Sequence, residues 1–125
     1  MARTDNNNGT TGFSAYPNPF NNSVVISYRL TSAQLIEVDL YTITGKKIKT
    51  LERAFRSRGG HTILWDGTSD NGNSVGSGLY FCTLRSKESL KTLKIILVKS
   101  LRKLNVVPAS LVVYTFKLTE GGEFV

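Results

Sequence analysis

The stretch that decides the fold class of this chain is Val24-Val25-Ile26-Ser27-Tyr28-Arg29-Leu30. Every second side chain, from Val24 to Leu30, is apolar, and this period of two predicts a β-strand with one buried face. Just upstream, Tyr16-Pro17-Asn18-Pro19-Phe20 is expected to be a rigid, extended lead-in, because a residue that precedes proline avoids helical conformations. Phe20 is then expected to anchor this lead-in against the core.

The alternating pattern returns in five later segments, and turn-forming residues separate them. These segments are residues 35–43, 46–51, 61–65, 79–85 and 91–99. In the first of them, the inward side chains are expected to be Ile36, Val38 and Leu40, and the outward ones Glu37, Asp39 and Tyr41. Short strands at this spacing predict an all-β, antiparallel β-sandwich of about seven strands.

Three connections between the strands carry specific expectations. Gly45 is expected to form a turn, because glycine tolerates positive φ. Residues 52–60 predict a basic loop, and residues 66–78 predict a polar loop that closes a hairpin, since Asn71-Gly72 is a strong turn signal. The arginines of the basic loop are Arg53, Arg56 and Arg58.

The chain divides into three parts by composition. Its 125 residues suffice for one core, and residues 13–99 hold all the predicted strands. Residues 1–12 are polar and predict a disordered linker. Residues 100–125 form an extension, in which the apolar run 111–118 predicts either an extra edge strand or a disordered tail.

Charge and composition narrow the class of partner. The net charge of +7 favours anionic partners, although most of the basic residues are interpreted as solvated charge. No motif for nucleic-acid binding is present, and no run reaches the ~20 apolar residues of a transmembrane helix. The polar start lacks the apolar core of a signal peptide, so an exported protein would need its signal on sequence absent from this chain. Cys82, the only cysteine, is expected to be a small buried hydrophobe.

The strongest match to a catalytic motif is Gly72-Asn73-Ser74-Val75-Gly76, which fits the Gly-x-Ser-x-Gly pattern of hydrolases. That motif requires a preceding strand and a following helix, whereas here a turn precedes and a strand follows. The only histidine, His61, lies upstream, contrary to the usual order in those enzymes. We therefore interpret the motif as a glycine-rich loop and predict a protein with no catalytic residue and no cofactor.

Asp66, Thr68 and Asp70 alternate as calcium ligands do. An EF-hand loop, however, needs glycine at its sixth position and glutamate at its twelfth, where this chain has Asn71 and Ser77. Short polar side chains of this kind also stabilise turns. The sequence therefore predicts a structural loop and no metal site.

Trp65 is aligned with His61 and Ile63 on one face of a predicted strand. This alignment favours a core tryptophan over a platform for stacking sugars or bases. His61 is interpreted as an ordinary strand residue.

Three motifs occur in a specific order along the chain. They are Tyr16-Pro17-Asn18-Pro19-Phe20-Asn21, then Leu40-Tyr41-Thr42-Ile43-Thr44-Gly45-Lys46-Lys47-Ile48, then Trp65-Asp66-Gly67 followed by Asp70-Asn71-Gly72-Asn73 and Ser77-Gly78-Leu79-Tyr80. The ordered set resembles the C-terminal sorting domain of type IX secretion cargo proteins over residues 13–99. It is also similar to the Ig-like domain of the flagellar hook-capping protein.

The resemblance implies an Ig-like, Greek-key β-sandwich that is not catalytic. It implies recognition by outer-membrane secretion machinery, removal by a sortase-like protease, and a cargo domain on the N-terminal side. The cargo would be secreted or held at the cell surface, on anionic lipopolysaccharide, after passing through the periplasm, and the sorting domain would be monomeric. The motif positions it implies are Pro17, Asn18, Pro19, Phe20, Gly45, Trp65, Asp66, Gly72, Gly78, Lys94 and Lys99.

Two other functions remain open at the level of sequence. One is a structural Ig-like module of a hook assembly or of a multi-domain surface protein, which need not be terminal. The other is a carbohydrate-binding β-sandwich that uses Trp65 and Tyr114.

Overall fold

A computed structural model of the chain describes residues 9–87 and 89–99. These residues form seven β-strands and no helix, so none of them belongs to a helix that could cross a membrane. The strands are β1 (Thr10–Tyr16), β2 (Val24–Leu30), β3 (Gln34–Thr42), β4 (Lys47–Arg56), β5 (Gly59–Trp65), β6 (Gly78–Arg85) and β7 (Leu90–Leu97).

The strands form two antiparallel sheets that pack face to face. The smaller sheet has the order β1-β2-β5, and the larger has the order β4-β3-β6-β7. The chain therefore passes from one sheet to the other between β2 and β3, between β4 and β5, and between β5 and β6. This Greek-key order confirms the prediction of an Ig-like sandwich of about seven strands.

The inward faces of the strands supply the core that the alternating pattern predicts. On β2, for example, Val24, Ile26, Tyr28 and Leu30 are all at most 2% exposed. The other buried apolar residues are Phe20, Ile36, Val38, Leu40, Trp65, Tyr80, Cys82, Leu84, Ile95 and Leu97. The predicted core positions of Phe20, Trp65 and Cys82 are thus confirmed.

The first strand begins earlier than the predicted boundary at residue 13. Thr10 lies opposite Leu30 and Thr11 opposite Arg29, so β1 pairs with β2 from its first residue. Thr10 is also fully buried. Cross-strand pairing therefore orders residues 10–12 despite their polar composition, and the prediction that they belong to a disordered linker is wrong. The predictions for residues 1–8 and 100–125 lie outside the described residues.

The predicted basic loop at residues 52–60 is instead the continuation of β4 and the start of β5. β4 runs on to Arg56, because its residues pair with β3 along the whole length, with Arg53 opposite Glu37 and Phe55 opposite Leu35. Only residues 57 and 58 connect β4 to β5. Arg53 and Arg56 therefore project from a sheet and not from a loop.

Residues 66–77 do not close a hairpin. β5 pairs with β2 in the smaller sheet, whereas β6 pairs with β3 and β7 in the larger one. This connecting loop therefore carries the chain across the sandwich. The Asn71-Gly72 signal marks only a local turn within it, where the Gly72 N–H donates to the Ser69 carbonyl oxygen at 2.9 Å.

Asp39, predicted to face solvent, is only 1% exposed. The Thr50 hydroxyl donates a hydrogen bond to its Oδ1 at 2.8 Å, and Lys47 Nζ lies 3.6 Å from the same oxygen. Loss of solvation on burial raises the pKa of this carboxyl group. The period of two correctly placed Asp39 on the outer face of the sheet. The prediction of solvent exposure is wrong because neighbouring side chains, including Thr50 and Lys47, cover Asp39 on that face.

Burial also determines the chemistry of Cys82. Its side chain is fully buried, and desolvation together with the Asp39 carboxylate raises the pKa of the thiol to about 12. Because the thiolate is the reactive form, we expect iodoacetamide at mildly alkaline pH to leave the folded protein unmodified and to label it fully in guanidinium. Mass spectrometry gives the readout, and rapid labelling of the folded protein would contradict this prediction.

Candidate recognition site

The segment formed by residues 17–20, the Pro-Asn-Pro-Phe segment, lies along the outer edge of β7. Both of its prolines follow cis peptide bonds. The Asn18 Nδ2 donates to the Lys94 carbonyl oxygen at 2.8 Å, and the Ile96 N–H donates to Asn18 Oδ1 at 2.9 Å. One side-chain amide thus makes the two hydrogen bonds that a neighbouring strand would make.

Phe20 continues this pairing with its main chain. Its N–H donates to the Ile96 carbonyl oxygen at 2.8 Å, and the Val98 N–H donates to the Phe20 carbonyl oxygen at 2.9 Å. Phe20 and Leu97 form a parallel bridge. An unpaired sheet edge invites association with another chain, so this segment closes the β7 edge of the larger sheet over four hydrogen bonds.

The Phe20 ring anchors the segment in an aromatic cluster with Trp65 and Tyr80. The ring centroids of Phe20 and Trp65 lie 5.4 Å apart, and Trp65 meets Tyr80 edge to face at 5.5 Å. The Trp65 indole N–H donates to the Thr68 carbonyl oxygen at 2.8 Å, and the Tyr80 hydroxyl donates to the Gly76 carbonyl oxygen at 2.5 Å. The cluster therefore fixes both the Pro-Asn-Pro-Phe segment and the connecting loop.

The connecting loop pairs with part of the opposite edge of the same sheet, near the start of β4. The Asp70 N–H donates to the Ile48 carbonyl oxygen on β4 at 2.9 Å, and the Thr50 N–H donates to Asp70 Oδ1 at 3.2 Å. Asp70 thus bonds to the main chain at the edge of β4, as Asn18 does at the edge of β7. No local pattern predicts either contact, because the partners are separated by 20 residues in one case and by more than 75 in the other.

Polar groups inside the connecting loop bond mainly to one another. The Thr68 hydroxyl donates to Asp66 Oδ1 at 2.6 Å, and this bond is the main reason why the pKa of Asp66 lies below its usual value. Lys49 Nζ in turn donates to the Thr68 hydroxyl oxygen at 3.3 Å. Gly72 and Ser74 belong to the same loop, where Ser74 bridges to Thr68. These contacts give the loop a definite shape.

Lys94 and Lys99 enter this arrangement through their main chains. Lys94 supplies the carbonyl oxygen that Asn18 binds, and its side chain is exposed. The Lys99 N–H donates to the Ser77 hydroxyl oxygen at 2.9 Å. Gly78 lies opposite Leu97, so the start of β6 and the end of β7 belong to the same end of the sandwich.

Gly45 lies at this end too, in the turn between β3 and β4. Its φ is +93°, a value that residues with a Cβ rarely adopt, and nothing lies within 4 Å of the position that a Cβ would take. Gly45→Ala should therefore lower the free energy of unfolding by about 1 kcal/mol through backbone strain alone. Urea denaturation measures the change, and Gly76→Ala, at an exposed glycine outside the positive-φ set, is the matched control. Equal effects of the two substitutions would contradict the prediction.

The sequence-predicted motif residues thus meet at one end of the sandwich but have different environments. Phe20 and Trp65 are buried. Pro17, Asn18, Gly45, Asp66, Gly72, Gly78 and Lys94 are exposed, while Pro19 and Lys99 are half-buried. Trp65, at 0% exposed, has no face free for a sugar, so the role given to Trp65 in the carbohydrate-binding hypothesis is wrong. Tyr114, the other residue of that hypothesis, lies outside the described residues.

The site also bears on the motifs for catalysis and metal binding. Gly72 to Gly76 falls within the connecting loop, which leads into β6. Within residues 9–87 and 89–99, no three side chains of His, Cys, Asp or Glu are grouped so that they could hold a metal ion. Asp66 and Asp70 are engaged with Thr68 and with β4, respectively.

The fold is that of an Ig-like β-sandwich in which each edge of the larger sheet is paired over part of its length, β7 by Asn18 and Phe20 and β4 by Asp70. The sequence model of the secretion-system C-terminal sorting domain matches residues 14–99, and the chain belongs to this family. Membership confirms the resemblance found in the ordered motifs. The domains of this family are non-catalytic and act in protein secretion, as sorting domains for export to the cell surface or the extracellular space.

Parts of several solved structures are similar to this chain. Dimeric latent PorU from Porphyromonas gingivalis is 26% identical over 70% of this chain and 9% of its own, with a TM-score of 0.57. PorZ, an essential surface component of the type IX secretion system of the same bacterium, is 21% identical over 70% of this chain and 11% of its own, with a TM-score of 0.48. The chain therefore spans about a tenth of the length of either protein.

The hook-capping protein FlgD from Xanthomonas campestris is 21% identical over 71% of this chain and 67% of its own, with a TM-score of 0.49. A search of curated protein sequences finds no significant match.

Proposed function

We propose that this domain is a sorting signal that directs a cargo protein through the type IX secretion system to the cell surface. The observation that carries the proposal is the family match over residues 14–99, which extends from β1 to the lysine after β7. The likeness to a domain of PorU supports the same assignment. The domain itself performs no chemistry and works by being recognised.

The end of the sandwich that holds the Pro-Asn-Pro-Phe segment is the proposed recognition surface. Phe20 and Trp65 are buried and hold the surface in shape, whereas Pro17, Asn18 and the Lys94 side chain are exposed and available for contact. The proposed partners are the outer-membrane secretion machinery and a sortase-like protease, with the cargo on the N-terminal side. Lys94 combines exposure with a positive charge next to the Pro-Asn-Pro-Phe segment.

The proposal is tested by fusing the chain to a periplasmic reporter in a host that has type IX secretion. Two fusions are needed, one with residues 9–99 and one with residues 1–125, each behind a cleavable export signal. Protease added to intact cells measures the surface fraction of the reporter, and its mass shows whether the sorting domain has been removed. We expect the reporter to reach the surface in this host and to stay in the periplasm of a strain that lacks the secretion machinery.

A matched pair of variants separates recognition from folding. Lys94→Glu alters the proposed surface and should reduce export, whereas Arg58→Glu makes the same charge change in the turn between β4 and β5, at the far end of the sandwich, and should not. Both side chains are exposed, so both variants should fold. The sorting function would be refuted if the unmodified 9–99 and 1–125 fusions both stayed in the periplasm while circular dichroism showed that the domain was folded.

A further inference from the structure

A groove of about 550 Å³ lies on the larger sheet at the end opposite the Pro-Asn-Pro-Phe segment. It is formed by the start of β3, the end of β4 and the residues that follow β6, and we call it the basic groove. The two ends of β6 are about 23 Å apart, so the groove is separate from the proposed recognition surface. The side chains that matter here are Leu35, Glu37, Arg53, Phe55, Arg85 and Lys87.

Two large apolar side chains in the groove are exposed to solvent. Leu35 is 61% exposed and Phe55 is 69% exposed. They lie directly opposite each other on β3 and β4, so they form one apolar pair rather than two scattered residues. Covering such a pair removes apolar surface from water and favours binding.

Positive charge lies beside the apolar pair. Glu37 is opposite Arg53 on one side and opposite Arg85 on the other. Its Oε2 already lies 3.4 Å from Arg53 Nη2 and 3.6 Å from Lys47 Nζ. Across residues 9–87 and 89–99, no carboxylate lies within ion-pair distance of Arg85 or Lys87. The groove therefore has an excess of positive charge that a ligand can neutralise.

Ser86 adds a polar group to the lining. The residue is 9% exposed, and its Oγ is buried without a hydrogen-bond partner among the described residues. Because this oxygen is buried, it offers no hydrogen bond to a ligand in the groove, and the apolar pair and the basic side chains are left to bind the ligand.

We propose that the basic groove binds an extended peptide of a partner protein in which an apolar and an acidic side chain are two residues apart. The charged row consists of Glu37 and the two residues opposite it, Arg53 and Arg85. It lies two residues along the strands from the apolar pair, which corresponds to about 6.6 Å. Side chains two residues apart in an extended peptide share a face and have the same separation. Such a peptide, lying along the strands, places its apolar side chain on Leu35 and Phe55 and its carboxylate toward Arg85, while Lys87 adds positive charge to the same groove.

The shape of the site favours a peptide over an anionic membrane. A concavity of this size can enclose one or two residues of a peptide between its walls, whereas a flat membrane surface would meet only its rim. This inference does not depend on the proposed sorting function, since the groove and the recognition surface lie at opposite ends of the sheet.

The test uses the full chain and a fluorescein-labelled peptide of about ten residues, built from repeats of Leu-Thr-Glu-Thr, which have the required spacing. Fluorescence anisotropy should show saturable binding that weakens with salt. A peptide with Lys in place of Glu, and another with Ser in place of Leu, should each bind at least about 5-fold more weakly. Vesicles that contain anionic phospholipid are the competing probe.

Matched variants identify the site, because a chain of net charge +7 attracts any anionic peptide to some extent. Loss of both Arg85 and Lys87 to alanine should weaken binding about 5- to 30-fold, and Phe55→Ser by a similar factor. The control for the loss of two charges is the double variant Arg29→Ala and Arg58→Ala, at two exposed arginines outside the groove. The control for Phe55→Ser is Leu64→Ser, because Leu64 is 61% exposed on the smaller sheet. Thermal melting verifies that each variant is folded.

Three outcomes would overturn the proposal. The first is that the acidic peptide fails to bind the unmodified chain. The second is that the control variants weaken binding as much as the groove variants do. The third is that the groove residues affect binding to vesicles and not to the peptide.

Discussion

Trp65→Ala should lower the free energy of unfolding by about 3–5 kcal/mol, the range for truncation of a buried tryptophan. Trp65 is 0% exposed and contacts Phe20 and Tyr80 through their rings. Its loss leaves a cavity between the two sheets and also removes the indole hydrogen bond to Thr68. Since small domains are stable by only about 5–15 kcal/mol, the variant is expected to be close to unfolded at physiological temperature.

Equilibrium denaturation in urea, followed by circular dichroism, measures this effect. Trp65→Phe is the first comparison, because it keeps an aromatic ring but loses the indole N–H, and it should cost less. Leu64→Ala is the second, since Leu64 is adjacent in sequence but 61% exposed and should change stability little. If Trp65→Ala cost no more than Leu64→Ala, Trp65 would not be part of the core.

Asn18→Ala should lower the free energy of unfolding by about 1–2 kcal/mol, from the loss of two hydrogen bonds to β7. The effect is smaller than that of Trp65→Ala because these bonds are exposed, and water can replace part of them. The local effect should be clearer than the global one. The Ile96 N–H, which donates to Asn18 Oδ1, should exchange with solvent faster in the variant.

Hydrogen exchange and urea denaturation together test the role of the amide. Asn18→Asp keeps the acceptor for Ile96 but brings a carboxylate to the Lys94 carbonyl oxygen, so it should restore little or none of the stability. Asn22→Ala is the control, at an exposed asparagine just beyond the Pro-Asn-Pro-Phe segment. Unchanged protection of Ile96 in Asn18→Ala would show that the amide does not hold the edge.

The basic groove could not be found from the sequence, because its residues were expected in separate settings. Arg53 was predicted in a loop, and Leu35 had no assigned face. Only the register of β3 with β4 and β6 brings Leu35 next to Phe55 and sets Glu37 between Arg53 and Arg85. The length of β4 was underestimated for the same reason, since pairing with β3 keeps residues 52–56 extended where composition suggested a loop.

Alternation along the chain was enough to predict the fold class and most of the core. A period of two depends only on neighbours along the chain, so it correctly placed Val24, Ile26, Tyr28 and Leu30 inside. The ordered motifs also led to the sorting-domain family. The structural role of those motifs became visible only in the folded chain, because their hydrogen bonds join segments that are distant in sequence. Asn18 closes the edge of β7, Asp70 closes the edge of β4, and both depend on a strand order that no local pattern contains.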